Sequence, residues 1–145
     1  MRVVAQQDME LERGNKPGEP QHFTGTVWML RCSVPPFGTG IYQVFFEREA
    51  RTHWHRHPEG QILYVVSGRG LVQKLDEKKG TKPSEEISAG DFVYFAPNEK
   101  HWHGARSDSF MVHVAITPRS GDGETRWEEK VSPEDYSVAS LKGQE

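Results

Sequence analysis

Seven histidines are spread unevenly along these 145 residues. His53, His55 and His57 fall within five positions, in Thr52-His-Trp-His-Arg-His-Pro-Glu-Gly-Gln61. His101 and His103 sit in Asn98-Glu-Lys-His-Trp-His-Gly104, which repeats the His-Trp-His arrangement. Strand side chains alternate between faces with period two. His55 and His57 therefore share a face, His101 and His103 share a face, and Trp54 and Trp102 point away. A neutral imidazole binds divalent transition metals, and it also exchanges protons near neutral pH. One His-X-His pair alone suits an exposed, solvated strand; the second pair supplies the missing half of a metal site. Which imidazoles would ligate and which would move protons stays open at this level.

Such pairs need strands to hold them. Residues 24–30, 41–47, 61–67, 71–75, 92–95 and 110–117 are rich in β-branched and aromatic side chains, and residues 127–131 offer one strand more. Gly25 marks a bulge in the first of these, and Gly68-Arg69-Gly70 reads as the tight turn of a hairpin. Residues 33–40, with two prolines and two glycines, form a loop, and residues 76–85 a charged, solvated one. Ser132-Pro133-Glu134-Asp135 offers an N-cap, a proline at the first helical position and acids in the first turn, so the helix comes at the C-terminal end. Many short strands with turns between them predict an all-β barrel or sandwich. Residues 1–20 read as a polar arm interrupted by Pro17 and Pro20, with Val3-Val4-Ala5 as an edge strand available to a partner subunit. Residues 21–145 form the single domain.

The bulk composition excludes some partners. Lys plus Arg total 18 against 21 Asp plus Glu, a formal charge of −3, so net charge attracts neither nucleic acid nor an anionic membrane. No apolar run reaches membrane-spanning length, and none follows Arg2 as a secretory signal would require. Cys32 is the only cysteine, so no intrachain disulfide forms. The expected address is cytoplasmic.

The two histidine segments resemble the paired motifs of the cupin superfamily, small double-stranded β-helix (jelly-roll-like) barrels that bind one metal inside. In the first motif His-X-His is followed by an acid or amide and then a glycine, here His55, His57, Gln61 and Gly68. The second runs from Gly90 to His101, with Ala96 and Asn98 where proline and glycine are usual. Asn tolerates left-handed backbone, so that exchange is compatible with the turn. Ala105 replaces the usual final asparagine. The resemblance covers residues 24–136. Through Phe23-Thr-Gly-Thr-Val27, Trp54-His-Arg-His-Pro-Glu-Gly-Gln61 and Glu99-Lys-His-Trp-His-Gly-Ala105, the chain is similar to short single-domain cupins. These include manganese-dependent microbial hydroxynitrile lyases and cupins associated with carboxymuconolactone decarboxylases.

That resemblance implies a metal held by His55, His57, Gln61 and His101. All four donors are neutral, so a divalent ion would keep its full charge and act as a strong Lewis acid toward a substrate oxygen. Manganese is implied by the resemblance; Fe, Ni, Co and Zn suit the same donors. His103 and His113 are the candidates for proton transfer, with a purely orienting role as the alternative. Tyr42, Val44, Thr52 and Thr117 are assigned to the pocket. The lyase-like relatives carry a small residue at the position of Tyr42 and a glutamine at that of Thr117, departures that bear on substrate. His53 is expected either beside the pocket or turned out of it by a strand irregularity, and His22 at the surface. The expected activity is a metal-dependent C–C lyase on a small molecule; an Fe-dependent dioxygenase and a non-catalytic ligand-binding module are the alternatives. The resemblance also implies a homodimer made through the arm and the open barrel edge.

Overall fold

The structure is a computed structural model that describes residues 1–33, 38–118 and 124–142. Its strands are β1 (Glu10–Arg13), β2 (Phe23–Thr24), β3 (Val27–Arg31), β4 (Gly40–Phe46), β5 (Arg51–Thr52), β6 (His55–Arg56), β7 (Gln61–Lys74), β8 (Ser84–Ser88), β9 (Phe92–Phe95), β10 (His101–Ala105), β11 (Met111–Thr117) and β12 (Arg126–Trp127). One 3₁₀ turn, Gln6–Asp8, precedes them, and one helix, α1 (Pro133–Lys142), follows. The fold is the all-β double-stranded β-helix. Every strand pair is antiparallel. One sheet runs β1-β3-β4-β11-β7-β9. The other runs β8-β7-β10-β5-β2, with β6 on β10 and β12 on β6.

The fourteen residues of β7 belong to both sheets, which is why the two curl into one barrel. The expected hairpin at Gly68 is therefore a correction: the chain does not reverse there but bends and continues. Gly68 has φ +78°, and a Cβ there would run into the Phe110 carbonyl oxygen. The ladder with β11 slips by one residue at the same place, between Val112 and His113. Such a bulge raises the local twist, so the strand leaves one sheet and enters the other. Gly25, at φ +82°, likewise separates β2 from β3 rather than bulging one strand.

Inward side chains of both sheets, among them Phe23, Val44, Phe46, Leu63, Val72, Phe95 and Met111, form the barrel core. A second cluster lies outside the second sheet, where Trp54, Leu71 and Trp102 are covered by Val131, Tyr136 and Ala139. Both tryptophans of the His-Trp-His segments thus point out under α1 while their histidines point in. The Trp102 indole donates to Gln73 Oε1 at 2.7 Å, and Gln73 Nε2 donates to the Lys82 carbonyl at 3.1 Å, so neither buried polar group is left unpaired. Ser132 caps α1 as expected, its Oγ accepting from the Asp135 amide at 3.0 Å.

Other expectations need adjusting. The N-terminal strand is Glu10–Arg13, not Val3–Ala5, because the alternation around Leu11 sets that side chain opposite Leu30 on β3. Ser84 and Glu85, expected at the end of the 76–85 loop, instead open the strand Ser84–Ser88, which has Ile87 in the core. The expected strand at 127–131 shortens to Arg126–Trp127. The predicted 33–40 loop falls partly on residues 34–37, outside the described residues. Asn98 has φ +61°, the left-handed backbone expected where glycine is usual. No helix among the described residues is long and apolar enough to cross a membrane.

Candidate metal centre and cavity

His55 on β6 and His101 on β10 are direct cross-strand partners, which sets their rings 4.3 Å apart. Each ring is tied in the same way. His55 Nδ1 is 2.8 Å from the His53 carbonyl oxygen and His101 Nδ1 is 2.8 Å from that of Glu99. A carbonyl only accepts, so Nδ1 carries the proton in both and Nε2 is left with a bare lone pair. Phe95 stacks on His101 at 3.6 Å and fixes the ring plane.

His57 lies just beyond β6, its ring 4.9 Å from that of His55 and 5.5 Å from that of His101. Its Nδ1 is 3.3 Å from Thr125 Oγ1, and its Nε2 is buried with no hydrogen-bond partner. The Pro58-Glu59-Gly60 turn then returns the chain to the cavity. Gly60, at φ +84°, passes so close to Phe95 that a Cβ would strike its carbonyl oxygen. This places Gln61 at the start of β7, where Nε2 donates to Thr117 Oγ1 at 3.2 Å. With its amide nitrogen so engaged, Oε1 faces His101 Nε2 at 3.3 Å.

His103 and His113 are held differently. His103 Nδ1 and His113 Nε2 are 2.9 Å apart, so one imidazole holds the other, and either nitrogen can carry the shared proton. The His103 amide donates to Thr52 Oγ1 at 3.2 Å. His103 Nε2 is buried without a partner and looks toward the same centre. Among the described residues, the ligand nitrogens of His55, His101 and His103 lie within 4.8 Å of one another. His103, assigned from sequence to proton transfer or to orienting the site, thus stands as close to the centre as the expected ligands.

Burial decides the protonation of all five rings. It lowers His57 to about 4, His101 to about 3 and His113 to about 4. His55 and His103 are held well below the ordinary range, first by burial and then by the neighbouring imidazoles. At neutral pH the cluster is therefore uncharged. Buried, unpartnered Nε2 atoms on His57 and His103 are costly in an apolar interior. A cation would satisfy the His57 lone pair, a substrate hydroxyl would satisfy that of His103, and the N and O donors fit a divalent transition metal.

The cluster lines a cavity of about 710 Å³. Tyr42, Val44, Thr52 and Thr117, the four expected pocket residues, all line it, as do His55, His57, Gln61, His103 and His113. His101 stands behind them, against Phe95. Sequence reasoning missed Met29, Phe23, Glu124, Thr125 and Trp127 as cavity wall; Phe46, which it leaves equally open to core and pocket, lines it too. Strand parity with Val27 was a usable signal for Met29; nothing local marks Trp127, whose ring lies 4.8 Å from that of His55. Glu124 is the one carboxylate among the described lining residues, and no Lys or Arg is among them. His53 takes the second of its two expected places: it is buried but outside the cavity wall, because the chain is irregular between β5 and β6 and its amide donates to the His22 carbonyl. His22 is half-buried, stacked on Trp127 at 4.2 Å, rather than at the surface.

A barrel with converging histidines inside defines a class. The cupin domain family model matches residues 43–117, and the chain belongs to the cupins. It is 40% identical over 135 residues to the (R)-mandelonitrile lyase of Granulicella tundricola, an alignment covering 88% of this chain and 98% of that one. It is also similar to a cupin-like protein from Thermotoga maritima, with 41% identity, a TM-score of 0.77, and 88% and 94% of the two chains covered. The polyketide cyclase RemF of Streptomyces resistomycificus shares the fold alone, at 16% identity, a TM-score of 0.64, and 94% and 91% of the two chains covered.

Proposed function

We propose that the chain is a metal-dependent lyase for a small, uncharged hydroxy compound, cleaving or forming the C–C bond of a cyanohydrin. The observation that carries this reading is the meeting of two imidazole sets in one cavity. One set presents bare donors, and the other is a hydrogen-bonded pair. The 40% identical relative named as a mandelonitrile lyase supports it. His55, His57, Gln61 and His101 would hold the metal, with manganese first and Fe, Co, Ni or Zn after it. Kept at full charge by neutral donors, a bound ion supplies the Lewis acidity that makes a substrate hydroxyl easier to deprotonate.

The protein's own side chains do the rest. Phe23, Phe46 and Trp127 wall the cavity with aromatic surface that accepts a flat apolar group and displaces water. The lack of any lysine or arginine among the described lining residues favours an uncharged substrate over an anionic one. His103 Nε2 takes the hydroxyl proton as the bond to the nitrile carbon breaks. The electron pair of that bond leaves with cyanide, the former hydroxyl becomes an aldehyde carbonyl, and His103 returns the proton to give hydrogen cyanide. His113 holds His103 through Nδ1 and stabilises it while it is charged. Tyr42 narrows the cavity where the lyase-like relatives are small, so a compact substrate fits better than a bulky one.

The test is release of benzaldehyde from mandelonitrile by protein loaded in turn with Mn, Fe, Co, Ni and Zn. Release is expected, strongest with one metal. If no loaded form moves the reaction in either direction, the lyase reading fails.

A further inference from the structure

Of the three histidines assigned to the metal, His57 is held unlike the other two. His55 and His101 each lean on a main-chain carbonyl two residues back. His57 Nδ1 instead lies 3.3 Å from the side-chain hydroxyl of Thr125, 68 positions further on. A carbonyl only accepts, but a hydroxyl can accept or donate. Where Thr125 Oγ1 accepts, Nδ1 carries the proton and Nε2 offers a lone pair. Where the hydroxyl donates, the proton sits on Nε2 and His57 has nothing to offer an ion. The Thr125 contact therefore leaves open what the two carbonyls lock.

Register brings Thr125 to this place. β12 pairs antiparallel with β6, Trp127 opposite His55 and Arg126 opposite Arg56, so one further step sets Thr125 beside His57. The pairing also continues the other way. The Glu128 amide donates to the Trp54 carbonyl at 2.8 Å, and the Trp54 amide to the Glu129 carbonyl at 2.9 Å. By strand alternation Thr125 and Trp127 share one face of this segment, the face that meets His55 and His57. Trp127 reaches His55 at 4.8 Å between ring centres, and His22 stacks on Trp127 at 4.2 Å, within 3° of parallel. Ion pairs fasten the segment, from Arg56 Nε to Glu128 at 2.8 Å and from Lys100 Nζ to Glu129 at 2.7 Å. Residues 124–129 thus form a strap that lays two side chains on two expected ligands.

We propose that Thr125 is the positioning residue that makes His57 a ligand. Its Oγ1 accepts the Nδ1 proton and so leaves the Nε2 lone pair for the centre, while Trp127 holds the strap against His55. The inference rests on the metal reading of the site and not on the reaction. His57 Nε2 is buried with no partner in the protein, as a donor kept for an ion would be. Ligation through Nε2 and acceptance by Oγ1 both require the proton on Nδ1, so each favours the other. Without an ion the ring can take either tautomer, and the hydroxyl follows it. Removing the hydroxyl therefore costs little in the metal-free chain and strands an Nδ1–H in the loaded one.

The experiment is calorimetric titration of the full, chelator-stripped chain with Mn(II) and with Zn(II). It compares the wild type, Thr125→Val, Thr125→Ser and Arg126→Gln, a control at an exposed position of the same strap. The wild type and the control are expected to bind alike. Thr125→Val, which keeps the shape and removes the acceptor, is expected to bind roughly 10- to 100-fold more weakly. Thr125→Ser is expected to recover most of that loss. The urea midpoint of the metal-free chain is expected to be the same in all four, which a merely structural role for Thr125 would not give. Should Thr125→Val misfold, Thr125→Ala asks the same question. A folded Thr125→Val that binds as tightly as the wild type overturns this inference alone, as does a Thr125→Ser that binds as weakly as Thr125→Val. A wild type that takes up neither ion removes the metal reading with it.

Discussion

The cavity holds two kinds of histidine, and the difference lies in what each Nδ1 touches. His55 and His101 donate Nδ1–H to main-chain carbonyls two residues back, at 2.8 Å in both. Main chain is rigid and a carbonyl cannot donate, so the tautomer is locked and Nε2 is permanently a donor of electrons. His103 and His113 face each other at 2.9 Å instead, and a proton between two imidazoles has two places to sit. The first arrangement suits holding an ion; the second suits moving a proton. The same side chain, a few ångströms apart, is thus given different chemistry by its hydrogen-bond partner.

The comparison breaks most visibly on the locked side. His55→Ala and His101→Ala should each lose most bound metal, by more than the roughly 10–100-fold that removing a ligand's supporting partner costs. Elemental analysis after dialysis reads this directly, and full retention in both would falsify the centre as drawn. On the paired side, His103→Ala should keep its metal while mandelonitrile turnover falls about 10²- to 10⁴-fold, the range for losing a general acid–base. Loss of metal in that variant would move His103 into the ligand set, as the 4.8 Å cluster with His55 and His101 permits.

Removing the partner of His103 should cost less. His113→Leu is expected to lower kcat roughly 10- to 100-fold with metal content unchanged. His113→Gln, which can still hydrogen-bond Nδ1, should recover part of that; equal losses in the two variants would reduce His113 to packing. Thr117→Val is milder again. It frees the Gln61 amide to rotate, and metal affinity should weaken about 10-fold.

Acid addresses both sets at once. Burial lowers His57 and His113 to about 4 and His101 to about 3, below the 6.5 of an exposed ring. The unfolded chain therefore binds more protons than the folded one below pH 6.5, so stability rises with pH in that window. Metal-free protein should lose urea resistance steadily from pH 6.5 down through about 4, and metal should shift the loss to lower pH because it binds only neutral imidazole. A urea midpoint that does not move across this range would contradict the burial of the cluster.

Much of this was legible in local order. Period-two alternation turns His55, His57, His101 and His103 inward and sends Trp54 and Trp102 outward, and both tryptophans do lie under α1. The Ser132 cap and the left-handed Asn98 follow from single-residue preferences. The same local reasoning failed at Gly68. A glycine between two strand-like runs suits a reversal or a bend equally, and only the pairing of β7 with both β10 and β11 distinguishes them.

What a residue touches across the barrel is not written in its neighbourhood. Alternation assigns a side chain to a face because the pleat is a property of one strand. Whether His103 meets His113, Thr117 meets the Gln61 amide, or Trp127 reaches His55 depends on which strands lie side by side, and those are separated by 10, 56 and 72 positions. So the residues of the centre and their inward direction come from the chain itself. The Nδ1 partners that set the tautomers, and the meeting of the locked and the paired imidazoles in one cavity, come from the way the barrel closes.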